Sequence, residues 1–82
     1  MKLTLYTKPD CPLCDELKTD LLSIEQEVGF SFALEERNIE EDNEDFERFQ
    51  YLIPVLDIED GPTLYPPYTW HSLYKQLIVD NG

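Results

Sequence analysis

Two sulfurs carry the chemistry this chain can perform. Cys11 and Cys14 are the only cysteines among 82 residues, and they stand three positions apart in Thr7-Lys8-Pro9-Asp10-Cys11-Pro12-Leu13-Cys14. A pair at this spacing can cycle between dithiol and disulfide, or it can supply half of a metal site. A closed zinc site needs four ligands, and beyond the two thiols the chain offers only His71 and carboxylates, so no metal is expected. His71 is read as a surface residue of the last helix. Two thiols so close in sequence close too short a loop to constrain the unfolded chain much, which leaves redox chemistry as the better use for them.

The attacking species in thiol–disulfide exchange is the thiolate, so a redox cysteine needs something that lowers its pKa from about 8.5. A helix N-terminus does this through its free N–H groups and its dipole. Pro12 suits the first turn of a helix, and either Asp10 or Cys11 can cap it. Cys14, Leu17, Leu21, Ile24 and Val28 then recur at three- and four-residue steps, forming one apolar face on a helix that Gly29 ends. Cys14 belongs to that face and Cys11 precedes it. The spacing therefore proposes an exposed attacking thiol and a sheltered partner one turn away that can reach the same sulfur. Lys8 adds positive charge beside Cys11, whereas Asp10, Asp15 and Glu16 oppose the thiolate.

The elements that must position this pair follow from periodicity. Residues 2–7 alternate polar and apolar as a strand, and Pro9 and Asp10 end it. Phe30-Ser31-Phe32-Ala33-Leu34 reads as a second strand, parallel to the first because a helix joins them. Asn43 to Gln50 reads as a short helix with Phe46 and Phe49 on one face. Ile53 to Ile58 makes a third strand, and the Asp60-Gly61 turn leads to a fourth at Thr63-Leu64-Tyr65, which Pro66 and Pro67 stop. Thr69 caps a last helix with Trp70, Leu73, Tyr74, Leu77 and Ile78 on its apolar side. Within the strand pattern Pro54 is conspicuous, since proline lacks a ladder donor; the base rate for an X–Pro bond favours trans.

Composition narrows the partners. Eighteen acidic residues against six basic ones give a formal charge of −12, which argues against nucleic acid and anionic membrane surfaces. Residues 35–48 hold eight of the carboxylates together with Arg37 and Arg48, and they are read as a solvated face. The length corresponds to one domain spanning 1–82, with charge and size favouring a monomer. Met1 is followed by no apolar signal core, and no run approaches the roughly 18 residues that span a bilayer, so a cytoplasmic location is expected.

The order strand, helix, strand, helix, strand, strand, helix resembles the glutaredoxins. So does Thr7-Lys8-Pro9-x-Cys11-Pro12-x-Cys14 after the first strand, with Ile53-Pro54-Val55 about 40 residues later. More narrowly, the chain is similar to the small glutaredoxin-like proteins of bacteria. The resemblance implies an α/β thioredoxin-like fold, a four-stranded mixed sheet in order 2-1-3-4 flanked by three helices. It implies that Cys11 is the nucleophile and Cys14 resolves, that Pro54 is cis and faces the active site, and that Ile53 offers its backbone to a bound peptide. Lys8, Leu13, Tyr68, Thr69 and Trp70 are then expected to line the substrate groove.

The implied partners are disulfide-bearing proteins. The electron donor is glutathione or a thioredoxin-reductase-type enzyme, and no cofactor is expected to stay bound. Leu13 stands where the family usually has tyrosine. Tyr65-Pro66-Pro67-Tyr68-Thr69 replaces a Gly-Gly turn that holds glutathione, and prolines lack the backbone donors glycines would supply. Arg48 is a second basic residue that could assist Lys8 toward that anion. A non-catalytic acidic binding module and a redox sensor on the same fold are the alternatives to an oxidoreductase.

Overall fold

The computed structural model describes residues 1–29 and 31–80. Strand β1 (Lys2–Thr7) leads into helix α1 (Pro12–Val28), strand β2 (Ala33–Asn38), a 3₁₀ turn at Ile39–Glu41 and helix α2 (Asn43–Phe49). Strands β3 (Val55–Ile58) and β4 (Thr63–Leu64) and helix α3 (Trp70–Tyr74) follow, and a π-helical turn over Lys75–Val79 continues α3. The sheet order is β2-β1-β3-β4, as expected, with β1 parallel to β2 and antiparallel to β3, and β3 antiparallel to β4.

Strand alternation splits the apolar residues between two faces. Leu3 and Leu5 of β1 and Leu56 and Ile58 of β3 pack with Leu17, Leu21 and Ile24 of α1, and with Leu73 and Leu77 of the C-terminal helical segment. Their neighbours in sequence, Tyr6 and Val55, join Ile39, Phe49 and Ile53 on the opposite face, under α2. The molecule is thus three layers with the sheet in the middle. Leu5 pairs with Leu56 and Tyr6 with Val55 across the centre of the sheet, so β1 delivers the Cys11 loop beside the segment that enters β3.

The second strand departs from expectation. It spans Ala33–Asn38, not residues 30–34, and every side chain in it is exposed except the half-buried Asn38. Of the expected strand residues, Phe32 enters the main core before the strand begins, and Phe30 lies outside the described residues. The reason is that β2 is an edge strand fixed by backbone pairing, from Lys2 opposite Ala33 to Thr7 opposite Asn38. Its charged side chains need no core and guard the edge against further pairing. Two other boundaries are shorter than expected: β3 starts at Val55 and β4 ends at Leu64.

Local chemistry explains the helix ends. Gly29, in the left-handed region at φ 79°, closes α1, and its N–H donates to the Glu25 carbonyl at 2.9 Å. The Glu25 carboxylate then accepts the Phe32 N–H at 2.7 Å, leading the chain back to the sheet. Asp42 caps α2 by accepting the N–H groups of Glu44 and Asp45, at 2.8 and 3.2 Å. Phe49 of α2 is buried, but Phe46 is 40% exposed and lies outside the core. Arg37 of β2 pairs with the buried Asp45 at 3.3 Å and, more loosely, with Asp42 at 3.9 Å, pinning α2 to the edge strand. Part of the acidic segment is therefore structural, while most of its carboxylates are exposed.

Candidate functional site

The two sulfurs sit at the C-terminal end of β1 and the start of α1, and they are joined as a disulfide with Cα atoms 5.2 Å apart. Cys11, not Asp10, is the N-cap residue: its backbone is extended at φ −110°, and its carbonyl accepts the Asp15 N–H at 3.2 Å. Its Sγ accepts the backbone N–H of Cys14 at 3.2 Å. The cap that a hydroxyl or carboxylate usually provides is here a sulfur. Asp10, at φ 56°, takes the left-handed backbone that turns the chain into the helix, a conformation aspartate tolerates better than most residues. Cys14 is 1% exposed among the α1 core residues, whereas Cys11 is half-buried at the rim. The expected asymmetry between the two thiols is present.

Two concavities flank this loop. One is a polar groove lined by Lys8, Asp10, Cys11, Asp15, Lys18 and Glu36, among others. Lys8 lies here beside Cys11, in a different concavity from Leu13 and Tyr68. Lys18, which sequence reasoning passed over, lies here too and pairs with Asp15 at 3.6 Å and Glu36 at 3.5 Å. Its signal in the sequence is that it follows Cys11 by seven residues, two helical turns on the same side. Arg48 is not part of this groove; its guanidinium lies 4.6 Å from the Phe49 ring centre on α2.

The second concavity, of about 320 Å³, is lined by Leu13, Glu16, Leu17 and Asp20 of α1, by Pro54, and by Pro66, Pro67 and Tyr68. Leu13, inside the cysteine loop, is 57% exposed at its margin. The Ile53–Pro54 bond is cis, as the resemblance implies, and Pro54 is buried across the cavity from α1. The Pro66–Pro67 bond is also cis. Ile53 packs its side chain toward the α2 face, and its N–H donates to the Phe49 carbonyl at 3.2 Å. That donor is therefore already used within the chain.

Tyr68 ties the cavity together. Its hydroxyl lies 2.8 Å from the Pro54 carbonyl and 2.6 Å from the Leu64 carbonyl, linking the entrance of β3 to the end of β4. Burial pushes its phenol well above the ordinary value, outweighing a Leu56 backbone hydrogen bond that lowers it; nearby Tyr65 raises it further. Thr69 and Trp70, expected in the groove, face other tasks. The Thr69 hydroxyl accepts the Ser72 N–H at 3.0 Å and caps α3. Trp70 stacks on Tyr74, with ring centres 5.2 Å apart, and its indole N–H donates to Ser23 at 3.0 Å. His71 is exposed, edge-on to Trp70.

A family model described as Glutaredoxin-like domain (DUF836) matches residues 2–78. The chain belongs to this glutaredoxin-like family. Among solved structures it is similar to the structural-genomics target protein XcR50 from X. campestris, with 28% identity, a TM-score of 0.74, and 98% of this chain and 97% of that one covered. It also shares its fold with thioredoxin 1 from Thermosipho africanus, at 13% identity and a TM-score of 0.62 over the full length of both. The glutaredoxin-like chain thus has a thioredoxin-like fold with a cysteine pair that closes into a disulfide, the equipment of a redox role. Among the described residues, no helix is long and apolar enough to cross a membrane, and no cluster of three or more His, Cys, Asp or Glu is placed to hold a metal ion.

Proposed function

We propose that this protein is a thiol–disulfide oxidoreductase in which Cys11 attacks a protein or glutathione disulfide and Cys14 resolves the intermediate. The observation that carries this reading is the asymmetry at the loop: Cys11 Sγ accepts an N–H at the mouth of α1, while Cys14 is enclosed by the core. A sulfur that receives an N–H at a helix N-terminus is stabilised as a thiolate. Lys8 and Lys18 in the same groove favour that charge, and Asp10 and Asp15 oppose it.

In the reduced protein the Cys11 thiolate forms a bond to one substrate sulfur, and the other substrate sulfur leaves as a thiolate that takes a proton. The Cys14 thiol then loses its proton and attacks Cys11 Sγ. The Cys11–Cys14 disulfide forms, and the second substrate sulfur departs and is protonated. Two electrons and two protons pass from the dithiol to the substrate. An external dithiol, or two monothiols such as glutathione, returns them.

The test is trapping. A Cys14→Ser variant is expected to accumulate mixed disulfides on Cys11, visible by mass spectrometry and released by dithiothreitol. A Cys11→Ser variant is expected to lose at least about 10³-fold in disulfide reduction, because the nucleophile itself is gone. Wild-type reduction rates in Cys11→Ser would end the proposal.

A further inference from the structure

We infer that the cavity beside the cysteine loop seats an apolar side chain of the substrate, and that Glu16 and Asp20 on its wall select a polypeptide carrying Lys or Arg next to that side chain. The inference rests on the oxidoreductase reading and names its substrate class: a cystine-bearing polypeptide that is apolar and basic around its disulfide.

The wall chemistry decides the occupant. At about 320 Å³ the cavity falls at the small end of ligand clefts, and Leu13, Leu17, Pro54, Pro66 and Pro67 give it an apolar lining. Its charged lining residues are both carboxylates, Glu16 and Asp20. No cationic side chain lines it to offset them. Prolines have no N–H, and the Tyr68 hydroxyl proton is directed at the Pro54 and Leu64 carbonyls. The groove lysines, Lys8 and Lys18, lie in the other concavity, where Lys18 is already paired with Asp15 and Glu36.

Glu16 and Asp20 are four residues apart on α1, an arrangement of like charges that destabilises a helix, and neither is in an ion pair among the described residues. Both also line an adjoining groove with Asp15 and Thr19, which extends the acidic surface along the outer side of α1. A cation arriving beside the cavity relieves this repulsion. A peptide with a leucine or similar residue in the cavity and a lysine next to it satisfies the apolar walls and the carboxylates together. Glutathione, whose carboxylates would meet Glu16 and Asp20, does not.

The test is single-turnover reduction by the pre-reduced, desalted protein. The substrates are peptide disulfides that separate a fluorophore from a quencher on cleavage. They share a leucine beside the cysteine and differ in the next residue, lysine or glutamate. The lysine peptide is expected to react about five- to tenfold faster at low salt, the range for two partly exposed charge pairs. Glu16→Gln with Asp20→Asn is expected to bring the ratio toward one, and Glu16→Lys with Asp20→Lys to invert it. Taking the ratio on one protein cancels any change in the Cys11 thiolate. Replacing the peptide leucine by serine is expected to slow the lysine peptide about tenfold, the loss of one apolar burial.

A ratio near one in wild type, or one unmoved by either double variant, overturns the inference. So does an unaffected rate with the serine peptide, or faster reduction of glutathione disulfide than of the lysine peptide. Hydroxyethyl disulfide, small and uncharged, separates the two levels. If wild type reduces it but shows no peptide preference, this inference alone falls; if wild type reduces nothing, the oxidoreductase reading falls with it.

Discussion

Tyr68 has one phenolic proton and two carbonyl acceptors, Pro54 at 2.8 Å and Leu64 at 2.6 Å, so it serves one of them at a time or shares the proton between them. It is a positioning residue: it holds the Pro54 segment, one wall of the cavity, against the end of β4. Tyr68→Phe leaves both carbonyls without that proton and is expected to cost about 1 kcal/mol near pH 7, the net value of one such hydrogen bond. The pH dependence of this cost has a definite sign. Burial raises the folded-state phenol above its ordinary value of 10.0. As pH rises past that ordinary value, the unfolded chain ionises first and is favoured, so wild type loses stability there and Tyr68→Phe does not. The gap between the two proteins should therefore narrow from pH 8 to pH 11 in urea unfolding, the remaining tyrosines and lysines being common to both. A gap that widens would mean that folding does not hold the phenol neutral.

At the scale of elements, α3 depends on its cap more than α1 does. It has five α-helical residues before the π turn, too few to persist without packing or capping. The reciprocal box between Thr69 and Ser72, with both bonds at 3.0 Å, satisfies two of the orphan groups at its start. Thr69→Ala is expected to destabilise the protein by about 1 kcal/mol. Because Thr69 follows Tyr68 directly, hydrogen exchange should also rise at the α3 N-terminus before it rises in β1. Uniform loss of protection across the sheet would place the cap's effect elsewhere.

The elements also show which parts of the molecule were legible in sequence. The α1 stripe, the Thr69 cap and the Cys11 mouth of the helix are each encoded in one short stretch of chain, and they stand where the sequence pattern puts them. Strand β2 lies later in the chain than alternation suggests because an edge strand answers to its partner's backbone, and Ala33–Asn38 carries almost no apolar alternation to read. The cavity was only partly legible. Leu13, Pro54 and Tyr68 stand out in the sequence, but Glu16 and Asp20 meet the Pro54 and Pro66–Tyr68 segments only once the chain has folded. Until then they read as ordinary solvated helix charges.

Over the whole molecule, a formal charge of −12 sits within a radius of gyration of 12.3 Å. At 0.01 M ionic strength the Debye length, about 30 Å, exceeds that radius, so each carboxylate feels most of the others; at 0.1 M it is about 10 Å and the repulsion is largely screened. Ion pairs do little to offset this, since those among the described residues involve only Lys18 and Arg37, both partly exposed. Added salt should therefore stabilise the fold. A gain of about 1 kcal/mol corresponds to a Tm higher by roughly 4–8 °C for a domain this small. The same screening acts oppositely on substrate choice, because the preference for a basic peptide comes from attraction to Glu16 and Asp20. One sodium chloride titration thus carries both tests: Tm should climb while the lysine-to-glutamate rate ratio falls toward one. A Tm that falls with salt would show that attractive pairs, rather than excess carboxylates, dominate the folded state. A rate ratio that survives 1 M salt, where the Debye length is about 3 Å, would mean that discrimination is made by shape in the cavity and not by the charges on its wall.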